Sequence, residues 1–307
     1  MNTNQDIQTA TNTANETRAV SSTNIQHDLL NLCKHNQDGS HATQAGRRNI
    51  LRLVARQLKD GGFRHMRASS LQPKHVDYLV NRWKSERLSS GTIKNRVAAL
   101  RWWSEKIGKA GLVPADNAAL GIAQRQYVGQ CNKAQTLDAG KLSAVTDPYV
   151  RMSLQLQAAF GLRREESIKF MPSVADHGRV LYLKGSWCKG KKERVIPIRT
   201  AQQRAVLDAA HRLAGASSLI PAHMSYVQQQ RVYDGQTQAA GLHKMHGLRH
   251  MYAQTRYLEL TGWPCPKAGG PERDALTGAA KKTDEAARMT ISKELGHGRI
   301  GVVSIYV

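Results

Sequence analysis

Cysteine is sparse and unpaired in this chain: Cys33, Cys131, Cys188 and Cys265 stand far apart, with no CxxC spacing among them. That argues against a structural zinc site and against a disulfide scaffold, and it suits a reducing compartment. Also missing are an apolar run long enough to span a bilayer and the charged-then-apolar start of a secretion signal. The expectation is a protein of the cytoplasm with no membrane partner. Acidic side chains are short too: 23 Asp and Glu face 45 Lys and Arg, leaving a formal net charge of +22. Such an imbalance adds self-repulsion to a compact fold and is most simply explained by a polyanionic partner, of which nucleic acid is the common one. A solvated basic surface, a ribosomal protein or a membrane-surface protein would carry the same charge, so composition alone does not decide. No internal repeat is visible, and 307 residues suffice for two domains with proper cores.

Residues 1–23 are Asn, Thr, Gln, Ala and Ser with few apolar side chains, too few to offset the entropy of ordering, so they are expected to form a disordered tail. Asp6, Glu16 and Arg18 in that tail do not make a basic arm. Residues 24–112 carry a helical pattern. Ile50, Val54 and Leu58 repeat at four-residue steps among Arg47, Arg48, Arg52 and Arg56; Leu71-Gln72-Pro73 marks a helix start, and Ser89-Ser90-Gly91-Thr92 a turn and cap. This predicts a small all-helical domain with a basic exterior, on which Lys94, Arg96 and Arg101 are candidate DNA contacts. Trp102 and Trp103 are expected in its core, where aromatics usually sit, ahead of any base-stacking role. Residues 113–136, with Pro114, Gly121, Gly129 and a polar run, look like a linker. The second domain, 137–307, opens with a helix start at Leu137-Asp138 and an apolar helix from Val150 to Phe160. A strand pair follows, Val180–Leu183 and Arg194–Ile198 about a tight Gly/Lys turn, and helices resume from Thr200. The fold class is mainly α with a small β-hairpin (α+β).

Four segments of the second domain carry chemistry. In Phe160-Gly161-Leu162-Arg163-Arg164-Glu165-Glu166 an arginine stands where a helix begins, a good place to bind phosphate, although alone it reads as a salt-bridged helix start. Residues 184–198 read KGSWCKGKKERVIPI. This nearly matches a phosphate-binding GxxxxGK loop, but Lys192 replaces the hydroxyl that would hold magnesium and the loop joins two strands, so ATP binding is rejected. A basic hairpin turn that offers Lys189, Lys191 or Lys192 to a nucleic-acid groove fits better. His246 and His250 have the spacing of zinc ligands, but Gly247 stands where a metalloprotease has Glu and no third ligand is evident, so no metal is expected. His246 and Arg249, three apart, share a helix face and can meet two oxygens of one phosphate. Last, Leu295-Gly296-His297 precedes Tyr306, the next-to-last residue.

In this order the segments resemble the tyrosine recombinases, the family of Xer recombinases, Cre and lambda integrase. The motif-level likeness covers about residues 136–307, and the helical domain before it resembles more loosely the family's SAM-like core-DNA-binding domain. By that resemblance the catalytic residues are Arg163, Lys189, His246, Arg249, His297 and Tyr306, with Glu166 as the companion acid of Arg163 and His250 as the usual neighbour of the HxxR box. The resemblance implies attack by Tyr306 on a DNA phosphate, a 3′-phosphotyrosine intermediate, and no cofactor. A tyrosine phenol ionises near pH 10 and is a poor nucleophile unaided, so His246 is the candidate base, the arginines and His297 hold the phosphate, and Lys189 protonates the leaving oxygen. It further implies double-stranded DNA as partner, a homotetramer on two sites from a free monomer or dimer, accessory DNA-bending proteins, and integration or excision of a bacterial mobile element. Two features depart from the pattern. The stretch of about residues 261–287 is longer than in simple Xer-like members, and the family usually carries a further segment after its tyrosine that docks on a neighbouring subunit. A type IB topoisomerase or telomere resolvase would share the chemistry, and a non-catalytic DNA-binding protein would share only the charge.

Overall fold

The structure, a computed structural model, describes residues 25–125, 129 and 131–307, so the tail read at residues 1–23 lies outside the described residues. The chain divides between residues 126 and 127 into two compact units. Both are helical, and the described residues contain a single small sheet, two antiparallel strands.

The first unit is built on α1 (Ile25–His35), α2 (His41–Asp60), α3 (Pro73–Ser85) and α4 (Ser90–Lys106). Their starts follow from local chemistry. Ser40 accepts the Thr43 N–H at 3.2 Å and Ser89 the Thr92 N–H at 3.3 Å, pairing donors that a helix N-terminus leaves open. Pro73 opens α3, where its missing N–H costs nothing. Leu51, Val54, Leu58, Val76, Leu79, Trp83, Val97, Leu100 and Trp103 are buried and form one core. The Trp83 indole donates to buried Gln57 at 2.8 Å, Trp103 donates to the Ala68 carbonyl at 3.0 Å, and Trp102 donates to Asp38 at 2.7 Å. Neither Trp102 nor Trp103 is a free stacking platform.

Two expectations change here. Part of the stretch read as a linker belongs to this unit, because Val113, Leu120 and Ile122 are buried in its core. Isolated among Pro, Gly and polar residues, those three carry no periodicity to announce them. The basic exterior is also less free than its composition suggests. Arg101 donates to the Pro114 carbonyl at 2.8 Å and to Asn117 at 3.0 Å, and Arg96 lies half-buried with its guanidinium 5.4 Å from the centre of the Trp83 ring. Lys94 is half-buried as well.

The second unit runs α5 (Ala139–Ser143), α6 (Pro148–Phe160), α7 (Arg164–Ile168), α8 (Pro172–Ala175), β1 (Val180–Leu183), β2 (Arg194–Pro197), α9 (Ala201–Ala214), α10 (Tyr226–Ala239), α11 (His246–Thr261), α12 (Gly278–Glu294) and α13 (Ile300–Val303). Asp138 and Asp147 cap α5 and α6 through the N–H groups of Lys141 and Val150. The strands alternate: Leu181, Leu183 and Ile196 are buried while Val195 is exposed. The register pairs Leu181 with Ile196 and Leu183 with Arg194, which puts Arg194 on the inward face. The connection between the strands is not the tight turn expected. It forms two short 3-10 turns, Gly185–Trp187 and Lys189–Lys191, because Trp187 and Cys188 fold into the core between the basic residues.

The long stretch after α11 acquires a structural reason. It makes 3-10 turns at Pro266–Ala268 and Arg273–Ala275, buries Cys265, and from Gly278 onward is α12. Asp284 of α12 is fully buried, accepting the Tyr257 hydroxyl at 2.5 Å and the Arg288 Nε at 2.7 and 2.9 Å. This fastens α12 to α11. No described helix is long and apolar enough to cross a membrane. Asp284→Ala leaves Arg288 buried without its carboxylate, and is expected to lower stability by about 3–5 kcal/mol in urea unfolding followed by tryptophan fluorescence.

Candidate active site

Gly161 ends α6 with φ 62°, a left-handed turn in which a Cβ would fall 2.7 Å from the Tyr252 ring. The turn delivers Arg163 to the start of α7. Arg163 donates to Glu166 twice at 2.7 Å, once from its backbone N–H and once from Nη1. Arg194 reaches the same carboxylate from β2 with Nη1 at 2.9 Å and Nη2 at 2.6 Å. Glu166 is fully buried. Burial by itself pushes its pKa up, but the hydrogen bonds and charge of Arg194, then the charges of Arg163 and Arg249, hold it at about 2.

The same arginines converge on the end of α12. Arg194 Nε donates to the Glu294 carbonyl at 2.8 Å, Arg163 Nη2 to the Leu295 carbonyl at 3.3 Å, and Arg249 Nη2 to that same Leu295 oxygen. A helix C-terminus leaves its last carbonyls unpaired and carries partial negative charge, so three guanidiniums are well matched to it. Arg249 is also tied to the Gly161 carbonyl at 2.6 Å and is only 1% exposed. Burial, then the charge of Arg163, lowers its pKa to about 10, which still leaves it cationic at neutral pH. Two guanidiniums sharing one carbonyl oxygen stand side by side, the arrangement a phosphate with two non-bridging oxygens requires.

Helix α11 positions Tyr306. His246, His250 and Gln254 recur at four-residue steps along one stripe of it. Tyr306, 4% exposed, lies along the stripe: its hydroxyl is 3.3 Å from His246 Nε2, its ring centre 4.6 Å from that of His250, and its backbone carbonyl accepts Gln254 Nε2 at 3.0 Å. His297, on the turn after α12, places Nε2 at 3.3 Å from Arg249 Nη2 and its ring centre 5.5 Å from that of Tyr306. All three histidine pKa values are depressed. For His246 the causes are burial, then Arg249 and Arg163. Burial and then His246 take His250 to about 4, and burial and then Arg249 take His297 to about 4. The three rings are neutral at pH 7, and one of them has a nitrogen at the phenol.

Of the residues singled out from the sequence, Arg163, Glu166, His246, Arg249, His250, His297 and Tyr306 come together. Lys189 does not join them: it is exposed on the connection between β1 and β2, as are Lys191 and Lys192, and has no hydrogen-bond or ion-pair partner among the described residues. Its neighbour Cys188 touches the cluster, with Sγ 3.2 Å from Arg194 Nη1. Arg194 and Gln254 escaped the sequence reading, although each left a trace. An arginine one residue before an exposed Val195 and two before a buried Ile196 falls on the inward face of its strand, and Gln254 continues the four-residue spacing of His246 and His250. Among the described residues no three His, Cys, Asp or Glu side chains converge as a metal site requires.

Both units of the chain find matches among known proteins. The family model described as phage integrase, N-terminal, matches residues 23–113, and the one described as integrase matches residues 124–255. No curated protein matches the chain in sequence. Among solved structures, a lambda integrase dimer bound to a COC' core site is 16% identical, covers 94% of this chain and 79% of its own, and superposes with a TM-score of 0.62. The Tn1549 transposon integrase in complex with circular intermediate DNA is 13% identical over 93% of this chain and 95% of its own, with a TM-score of 0.52. A lambda integrase tetramer bound to a Holliday junction is 14% identical over 87% and 79%, with a TM-score of 0.53. At such identities the likeness is one of fold. Two integrase family models following one another through both units of that fold leave one conclusion: the chain belongs to the tyrosine recombinase family of phage-type integrases, the enzymes of site-specific DNA recombination.

Proposed function

We propose that Tyr306 is the covalent nucleophile of this recombinase and that Arg163, Arg249 and His297 bind the phosphate it attacks. The observation that carries the reading is the 3.3 Å contact between the Tyr306 hydroxyl and His246 Nε2, beside two arginines held on one carbonyl oxygen. Tyr306 Oη forms a bond to phosphorus while its proton passes to His246 Nε2, a nitrogen kept free by the lowered pKa of that ring. Charge gathers on the non-bridging oxygens, where fixed cations stabilise the transition state more than the ground state. The bond from phosphorus to the 5′-oxygen breaks and Lys189 protonates the departing oxygen. Its exposed loop and its bond to Cys188, which touches Arg194, favour that role. The products are a 3′-phosphotyrosine and a 5′-hydroxyl. One ester has replaced another, so attack by a 5′-hydroxyl in the reverse sense reseals the strand and restores the phenol.

The substrate in this reading is double-stranded DNA, and four subunits act on two sites. The lambda integrase dimer and tetramer, both bound to DNA, support that assembly, and the Tn1549 integrase with circular intermediate DNA supports integration or excision of a mobile element. Lys191 and Lys192, exposed just after Lys189, serve as backbone-phosphate contacts in this reading. Sequencing the DNA trapped covalently on the protein in cells supplies the site for the tests that follow.

Tyr306→Phe is expected to form no adduct on a nicked duplex of that sequence; a persisting adduct removes Tyr306 from its role. Lys189→Ala is expected to cleave slowly on an oxygen substrate and to recover on one with sulfur at the 5′-bridging position, whose leaving group needs no proton. Equal losses on both substrates would show that Lys189 is not the acid. Glu166, depressed from its ordinary 4.5 to about 2, stabilises the fold fully above pH 4.5 and loses that contribution as the pH falls towards 2. Glu166→Gln is therefore expected to destabilise the protein at pH 7, and the gap from the parent should narrow between pH 5 and 2 in urea titrations.

A further inference from the structure

We propose that Gln254, oriented by Asn132, is a positioning residue that sets the reach of Tyr306 by holding its backbone carbonyl. The inference rests on Tyr306 being the nucleophile and adds what aims it. Gln254 is 8% exposed, and its Nε2 donates both to the Tyr306 carbonyl at 3.0 Å and to Asn132 Oδ1 at 2.8 Å. Asn132 Nδ2 returns a bond to Gln254 Oε1 at 3.3 Å.

Fixed donors and acceptors determine which way both amides face. The Ala134 N–H can only donate, so the Asn132 atom it meets at 2.9 Å is the oxygen. The Gln254 atom beside that oxygen must then be the nitrogen, and the same nitrogen faces the Tyr306 carbonyl, which can only accept. The segment bearing Asn132 is itself pinned to α11. Gln135 N–H donates to the Gly247 carbonyl at 3.1 Å, and a Cβ on Gly247 would fall 2.7 Å from the Lys133 carbonyl oxygen and from Gln135 Cγ. Only glycine permits that approach.

Tyr306 is thus gripped at both ends by one helix, its hydroxyl by His246 and its carbonyl by Gln254. The hydroxyl contact alone, at 3.3 Å, leaves the residue free to pivot about its backbone. Backbone support otherwise comes from the single turn of α13, through the Tyr306 N–H to the Val303 carbonyl at 2.8 Å. A displacement of about 1 Å from the attack geometry costs on the order of a hundredfold in rate, so a second anchor on the carbonyl bears directly on cleavage.

The test uses Gln254→Glu, which keeps the shape but replaces the donor with an oxygen. Ionised, that oxygen repels the Tyr306 carbonyl; protonated, its O–H donates to it, and burial raises the pH at which the proton is taken up. Single-turnover adduct formation at saturating protein is measured on the nicked duplex at pH 8 and pH 6, with duplex affinity followed by gel shift. At pH 8 the variant is expected to be slower than the parent by about tenfold or more with unchanged affinity, and at pH 6 the gap should close to within about threefold. Gln254→Leu should stay slow at both. A parent-like rate at pH 8, or a deficit identical at the two pH values, overturns the proposal. Should Gln254→Glu fail to fold, Asn132→Ala at an exposed position takes its place: slowed adduct formation with unchanged melting supports the positioning role and a parent rate refutes it. Tyr306→Phe runs alongside. An adduct there sinks the nucleophile assignment itself, whereas a null Tyr306→Phe with a parent-rate Gln254→Glu sinks only the role of Gln254.

Discussion

The site depends on the carbonyl end of α12. Three guanidiniums, from a helix cap, a strand and a second helix, reach the last two carbonyls of one helix, and a fully buried carboxylate joins two of them. Each of these charges is costly to bury alone. Their mutual pairing, together with the negative end of the helix dipole, offsets that cost. An arrangement this constrained leaves Arg163 and Arg249 little freedom to rearrange. For the proposed reaction their donors stand in place beforehand, which is the condition under which electrostatic stabilisation acts most strongly.

The same charges tune the rings around the phenol. His250 is buried, His297 half-buried and His246 more open, and all three stand beside cations; desolvation and those charges both favour the neutral imidazole. A neutral His246 is a proton acceptor, and a neutral His297 beside Arg249 adds no further repulsion to an already cationic centre. In the proposed mechanism the arginine cluster therefore has two effects, holding phosphate oxygens and keeping the base unprotonated. Helix α11 links them, since Arg249, His246, His250 and Gln254 all lie on it. Its own placement depends on α12 through Tyr257 with Asp284 and Tyr252 with Glu294. The long stretch between the HxxR box and His297 is thus the segment that carries the arginines' shared acceptor into position.

Much of this was legible in the chain itself. Helix starts at Ser89 and Asp138 are local events, decided by one side chain and the N–H it caps. The alternation through Val180–Leu183 and Arg194–Pro197 marks a strand pair, and the order of the arginine, histidine and tyrosine motifs marks the family, because its motifs are restricted in kind and spacing. What local pattern did not carry were surroundings that come from elsewhere. Arg101, read as a candidate DNA contact, donates to Pro114 and Asn117, while Trp187 and Cys188 looked like part of a basic turn and are buried.

Sequence alone determined which residue types are on hand for the proposed chemistry and along which helices they recur, since both depend on neighbours a few positions away. Tertiary structure decided that Arg194 supports Glu166, that the Leu295 carbonyl joins two arginines, and that Gln254 and Asn132 hold Tyr306 from behind. Those contacts span 28, 46, 52 and 122 residues of chain. A backbone carbonyl has no identity in a sequence, and a lone amide or arginine gives no sign of its partner until packing brings the two together.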